Sequence, residues 1–157
     1  MTRELLLTKG AVAIVDDKDY EWLTRYRWKL HDGRYAARTI RVAGKCTVLY
    51  MHRAIVNAKP GDVVDHTDLN KLNNTRTNLR LCTKSQNERN RSGKPKQRLS
   101  LYKGVSLRKN GVCVARIFEK GCAIYIGSFS TELEAAKAYD QYAREAFGEY
   151  AYLNLSF

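Results

Sequence analysis

The chain has no apolar run near the ~18 residues that a membrane span requires, and its start, MTRELLLTKG, lacks the apolar core and small-residue cleavage site of a secretory signal. A membrane location is therefore not expected, and a cytoplasmic one is. Cysteine is sparse and unpatterned: Cys46, Cys82, Cys113 and Cys122 form no CxxC and have no histidine at zinc-ligand spacing. That excludes a disulfide framework and a zinc centre, and the thiols are expected to be reduced and mostly buried. Only two prolines occur, one of them within 84–101, KSQNERNRSGKPKQRLSL, a stretch with almost no apolar material. Acidic residues are scarce where basic ones are densest: residues 84–130 carry 11 Lys/Arg against 2 Asp/Glu, whereas 131–157 carry 2 against 5.

What is present is a globular composition, 44% hydrophobic over 157 residues, enough for one ordinary domain or two small ones. The formal net charge is +12. Concentrated in the middle of the chain, it points to a polyanion such as DNA or RNA, because each phosphate neutralised releases counterions. A generic solvated basic surface is the alternative reading of the charge alone. Residues 84–101 read as a linker too polar to build a core and suited to a phosphate backbone.

The first 50 residues alternate β-branched and aromatic runs with turn signals. AVAIV reads as a strand. Trp28, Leu30, Tyr35 and Ala37 flank Asp32-Gly33 in period-two alternation, which predicts a hairpin, and Ala43-Gly44-Lys45 predicts a second reversal. DYEWLTRY predicts a short helix with Asp19 near its start and its aromatics in the core. Beyond the linker, LYKGVSLRKNGVCVARIF and CAIYIGSF predict three strands, with Asn110-Gly111 as a hairpin signal. TELEAAKAYDQYAREAF then switches to helical period. Thr131 and Glu134 form a capping-box pattern, Leu133, Ala136, Tyr139, Ala143 and Phe147 share a core stripe, and Gly148 marks the stop.

VVDHTDLNKLNNTRTNLRLCTKSQN, residues 63 to 87, is too rich in asparagine to choose helix or strand on propensity. Val63-Val64 is strand-like, and a helix is expected to start near Lys84 or Ser85. Asp65 and His66, adjacent at a strand end, face opposite ways unless the chain turns, so one can hold a metal while the other addresses a substrate. Eleven residues separate His66 from Asn78, and eight more lead to Asn87. This H-x11-N-x8-N spacing, with Asp before the His, resembles the HNH nuclease family and its ββα-metal fold. MHRAIV, VDH, NKLNN and TNLR are similar to its homing-endonuclease branch, as found in phages and mobile introns. The resemblance implies His66 as general base, Asp65 and Asn87 as ligands of one divalent ion, Mg²⁺ or Mn²⁺, and Asn78 as the residue holding the loop and the orientation of His66. Asn70, Asn73 and Asn74 have no place in that scheme and are expected to brace the loop. A calcium loop is excluded, since Asp65, Thr67 and Leu69 do not supply alternating oxygens. His52 is expected to pack or hydrogen-bond and His31 to be exposed at a turn, neither with a role.

Tyr102, Gly104-Val105, Ala115, Gly127, Phe129, EAAKAYD at 134–140, Phe147-Gly148 and Leu153-Asn154 resemble the apetala-two (ethylene-response-factor) DNA-binding domain across 102–155. That resemblance implies a three-stranded sheet lying in the major groove. Lys103, Arg108, Lys109 and Arg116 are its candidate contacts, joined by Lys84, Arg89, Arg91, Lys94, Lys96 and Arg98 from the preceding helix and linker. Cys113 stands where the family usually has tryptophan, Ser106 where arginine is common and Arg116 where an acid is common, so the base preference does not transfer.

The expected architecture is α+β: a β-rich HNH nuclease domain over 1–83, its motif helix running to about 91, a basic linker over 92–101, and a domain over 102–157 with a three-stranded antiparallel sheet packed on one helix. The expected function is a site-specific homing endonuclease on double-stranded DNA, metal-dependent, nicking one strand as a monomer without a protein partner, and leaving a 5′-phosphate and a 3′-hydroxyl. The rival is a non-catalytic DNA-binding regulator whose nuclease half has decayed. A degradative nuclease would make poor use of a recognition module.

Overall fold

Leucines alternate at the start of the chain: Leu5 and Leu7 are buried and Leu6 between them is exposed, the period-two signature of a strand with one face on a core. The computed structural model describes residues 1–91 and 100–155. It divides into two units, 1–87 and 88–157. Most of the expected linker, with Lys94, Lys96 and Arg98, lies outside the described residues.

In the first unit, β1 (Thr2–Leu6) pairs antiparallel with β2 (Val12–Asp16). Helix α1 (Asp17–Thr24) follows, and its Leu23 carbonyl accepts from the buried Trp28 indole N–H at 2.9 Å. The two expected hairpins form one sheet of β3 (Lys29–His31), β4 (Tyr35–Val42) and β5 (Lys45–Tyr50). Leu30 faces Ala36 and His31 faces Tyr35 across the Asp32-Gly33 turn. A five-residue helix α2 (Met51–Ile55) leads to the two-stranded sheet of β6 (Val63–His66) and β7 (Leu79–Cys82), and then to α3 (Lys84–Arg89). Thr83 and Gln86 cap α3 reciprocally: the Thr83 N–H donates to Gln86 Oε1 at 2.8 Å, and the Gln86 N–H donates to Thr83 Oγ1 at 3.2 Å. The core of this unit is Leu5, Leu7, Ala13, Val15, Leu23, Trp28, Ala36, Met51, Ile55 and Leu79.

The second unit is a sheet of β8 (Val105–Leu107), β9 (Cys113–Glu119) and β10 (Cys122–Phe129) in the order β10-β9-β8, covered by α4 (Glu132–Phe147). The capping box is formed at Thr131 and Glu134. The buried face of α4 is Ala135, Ala136, Tyr139, Asp140, Ala143 and Phe147. Leu133, expected in that stripe, is instead 46% exposed, because in the first turn it stands at the stripe's edge, beyond the reach of the sheet. Buried Asp140 is satisfied by the tail: its Oδ1 accepts from the Asn154 backbone and amide at 2.8 and 3.1 Å, and its Oδ2 from Leu155 N at 2.8 Å. Asn154 in turn accepts from Lys103 N at 2.6 Å and donates to Lys103 O at 3.1 Å.

The cysteines correct the expectation of burial. All four are free, but only Cys113 is buried, while Cys46 and Cys122 are exposed and Cys82 is intermediate. Cys46 lies on the outlying β4–β5 hairpin and Cys122 at the first position of β10, where no second layer covers them.

Gly104 and Gly111 both adopt positive φ, +78° and +83°. A Cβ at Gly104 would collide with the Tyr139 ring and the Arg116 carbonyl, whereas at Gly111 it would meet nothing. Gly111→Ala should therefore cost about 1 kcal/mol from backbone strain alone, and Gly104→Ala at least about 2 kcal/mol through overpacking added to that strain. Urea denaturation followed by far-ultraviolet circular dichroism checks the ranking.

Candidate functional site

Strands β6 and β7 bring the Asp-His pair opposite Arg80 and Leu79: Asp65 faces Arg80 and His66 faces Leu79. Both are buried, Asp65 at 1% and His66 at 0% exposure. A buried carboxylate requires a compensating partner. Here Arg80 supplies one, with Nη2 at 2.8 Å and Nε at 3.1 Å from Asp65 Oδ2.

His66 sits against the rings of His52 from α2, 5.1 Å between centroids at 73°, and Tyr35 from β4, 6.3 Å away. His52 stacks on Tyr50 at 5.5 Å and 24°. Burial, with Lys71 next, pushes the His66 imidazole down to about 4, against opposing pulls from the neighbouring Asn74 and from Asp68 and Asp65. Burial likewise pushes His52 to about 3, with His66, Arg53 and Lys71 adding to the effect. Both rings are neutral at pH 7, so neither repels the other and His66 is in its proton-accepting form.

The asparagines divide by task. Asn78, at the foot of β7, clamps the turn that follows His66. Its Oδ1 accepts from Asp68 N at 2.9 Å, its Nδ2 donates to Asp68 Oδ1 and Asn73 O, both at 2.8 Å, and its carbonyl accepts from Thr67 N at 2.9 Å. Asn70 and Asn73 brace the loop, Asn70 accepting from Leu72 N at 3.1 Å and Asn73 donating to Asp68 Oδ2 at 2.7 Å. Asn74, wholly buried, braces it too, its Nδ2 donating to Leu72 O at 3.0 Å. Leu69 in the same loop holds a left-handed φ of 65°, an uncommon conformation for a residue with a side chain.

The loop is fastened to the start of the chain. Arg76 donates through Nε and Nη2 to Asp19 Oδ2 and Oδ1 at 2.7 and 2.8 Å, and its backbone N–H reaches Asp16 Oδ2 at 2.7 Å. The Arg76 hydrogen bond, foremost, holds the Asp19 carboxyl below its ordinary range.

Asn87 lies half-buried on α3, its N–H bonded to Thr83 O at 3.0 Å. Cys82 links it to the strand: the thiol is raised chiefly by burial and then by the Asp65 carboxylate, and the Asn87 backbone N–H acts on it in the opposite sense. A carboxylate and an amide oxygen are hard donors that suit Mg²⁺ or Mn²⁺. No group of three or more His, Cys, Asp or Glu among the described residues is placed to hold a metal. Lys71, which sequence reasoning missed, completes the surroundings. Burial lowers its pKa, while Asp65 and Asp68 raise it.

The HNH endonuclease family model matches residues 49–89, from the end of β5 through α3. An uncharacterized HNH endonuclease of Acanthamoeba polyphaga mimivirus is 35% identical over 149 residues, covering 91% of this chain and 74% of that protein. The chain belongs to the HNH endonuclease family. As in the sequence reading, the C-terminal region of this HNH endonuclease is apetala-two-like. Dehydration-responsive element-binding protein 2D of Arabidopsis thaliana is 45% identical over 65 residues, and protein 2E of Oryza sativa subsp. japonica is 45% identical over the same length. Each match covers 40% of this chain but only 32% and 20% of the plant proteins.

The basic residues singled out in the HNH endonuclease's sequence do not share one setting. Lys84, Arg108, Lys109 and Arg116 are exposed. Arg89 lies over the Phe147 ring at 4.5 Å, and Arg91 pairs with Glu88 at 2.8 Å. The Lys103 ammonium donates to the Arg89 and Arg91 carbonyls at 2.6 and 2.7 Å, so its charge is turned onto the protein's own backbone. No helix among the described residues is long and apolar enough to cross a membrane.

Removing the Arg76 guanidinium leaves Asp19 buried and uncompensated. Arg76→Met should cost about 3 kcal/mol, seen as a fall in the urea midpoint followed by the fluorescence of Trp22 and Trp28. His52 sets an acid limit. Its folded pKa, about 3, lies below the ordinary 6.5, so its stability contribution is complete above pH 6.5 and lost as pH falls from there toward 3. In that window each pH unit removes about 1.4 kcal/mol. His52→Phe should flatten the dependence of urea stability on pH between 6 and 4 by that amount.

Proposed function

We propose that this HNH endonuclease is a site-specific DNA endonuclease of the homing type, with His66 as general base, Asp65 and Asn87 holding one divalent ion, Mg²⁺ or Mn²⁺, and Asn78 fixing the turn that carries His66. The observation that supports this most is the neutral imidazole of His66, adjacent to a buried carboxylate and held by an asparagine clamp. His66 would accept a proton from water as that water attacks phosphorus. The P–O3′ bond breaks and the 3′ oxygen takes up a proton, leaving a 5′-phosphate and a 3′-hydroxyl. Bound between Asp65 and Asn87, the ion would supply Lewis-acid stabilisation of charge on the phosphate and its leaving oxygen. Lys71 adds a positive charge within electrostatic reach of Asp65 and Asp68. Arg80 would hold Asp65 in place through Oδ2.

The domain reading is a nuclease domain over 1–83 with its motif helix continuing, a basic linker over 92–101 and a recognition domain over 102–157. The plant relatives are named as binding a dehydration-responsive element, which supports assigning recognition to the C-terminal domain. Its candidate contacts are Arg108, Lys109 and Arg116, with Lys84 on the motif helix. One site per chain is suited to nicking one strand of duplex DNA as a monomer.

Two observations favour a second reading, a DNA-binding regulator with a decayed nuclease half: His66 has no exposed surface, and Arg80 already neutralises Asp65. The readings separate on supercoiled plasmid and on whole viral or host genomic DNA in Mg²⁺ or Mn²⁺. The nuclease gives nicked product that is lost in chelator and reduced at least 100-fold in His66→Ala and Asp65→Ala, with DNA binding retained. Binding without cleavage of any of these substrates establishes the regulator.

A further inference from the structure

The first unit contains a cluster of positive charge that neither the HNH motif nor the apetala-two-like sheet uses. Arg25, Tyr26, Arg27 and Lys29, on the segment that leaves α1 and enters β3, line with Arg38 on β4 an open cleft whose other walls are Thr8 and Thr39. A second recess, reaching Leu6, Leu7 and Thr24, shares Thr8 and Arg25 to Arg27 with the first, so the two form one groove. No acidic side chain lines either part. Among the described residues Arg25, Arg27, Lys29 and Arg38 make no ion pair.

Four unneutralised cations repel one another, and their convergence has to be held by something else. Packing does so for Arg38: its guanidinium lies 3.7 Å from the Tyr26 ring centroid and 5.6 Å from that of Trp28, the latter anchored by its own hydrogen bond to Leu23 O. The stack fixes the guanidinium plane before any ligand arrives. Planar donors held in place, flanking cations and two threonines match the non-bridging oxygens of phosphodiesters.

We infer that the Arg25–Arg27–Lys29–Arg38 cleft binds backbone phosphates of duplex DNA, giving the first unit its own sequence-independent anchor apart from the cutting site. This rests on DNA being the substrate. It does not depend on cleavage.

The test is fluorescence anisotropy of the full chain on two unrelated 30-base-pair duplexes, in chelator, across a salt series. Arg25→Gln with Arg27→Gln is the main variant, because both side chains are exposed; Arg38→Lys keeps the charge and removes the planar fork. If the cleft holds one or two phosphates, the double variant lowers the slope of log Kobs against log salt by about 0.9 per lost contact, equally on both duplexes. Arg38→Lys then weakens binding with little change of slope. A slope unchanged in the double variant, at an unchanged urea midpoint, overturns the inference. So does a loss confined to one duplex, or stabilisation by inorganic pyrophosphate that the double variant abolishes while its DNA slope stays wild-type. Nicking at low salt, where the DNA is saturated, should persist in the double variant. Loss of nicking in His66→Ala at an unchanged salt slope would separate the two proposals.

Discussion

Arg76 and Asp19, 57 residues apart in the chain, form the contact on which the motif's shape depends. The HNH segment has two four-residue strands and a six-residue helix, too little apolar surface to order a long polar loop. The loop is ordered from outside. Asp19 takes both arms of the Arg76 guanidinium and the Trp22 indole N–H, and Asp16 takes the Arg76 backbone N–H. Two backbone bonds extend the seam, Ile14 N–H to Leu72 O at 2.9 Å and Asn74 N–H to Ile14 O at 2.7 Å. Through this edge β2 and α1 serve as the wall of the site, and Asn74 is held in the interior.

Burial then sets the chemistry. A surface histidine at pH 7 is partly charged and competes for its own proton. Packed against Tyr35 and His52 and facing Lys71, His66 loses the charged form. The same low dielectric would make Asp65 costly were Arg80 not opposite it. The pairing comes directly from strand register, since residues facing each other across β6 and β7 share a face of the sheet.

The second unit solves the small-domain problem differently. Three alanines on α4, Ala135, Ala136 and Ala143, are fully buried and let the helix lie close to the sheet. Gly104 admits the Tyr139 ring where any side chain would block it. Asp140 and Asn154 close the tail over the helix with five hydrogen bonds that leave the buried carboxylate satisfied. The opposite face of the sheet is left to Arg116, Phe118 and Tyr125, all exposed. Cation and aromatic surface lie together there.

Much of this was legible in the chain because it is local. The hairpins at Asp32-Gly33 and Asn110-Gly111, the capping box at Thr131 and the helix after it depend on neighbours within a few residues. The Asp-His-Asn-Asn spacing across residues 65–87 is read straight from the chain. What sequence reasoning missed is non-local. No strand was expected in residues 2–6, whose role comes from pairing with β2, and His52, Arg80 and Lys71 gain their places only when α2, the loop and β7 close around His66. Lys103 looked like a free cation until the fold turned it onto two carbonyls. By itself the sequence determined the element types and the spacing of the motif, because helical and strand periodicity and turn chemistry act over short range. Only the tertiary structure decided which charges are paired, which histidine is buried and which basic residues remain open, because burial and pairing belong to residues brought together from distant parts of the chain.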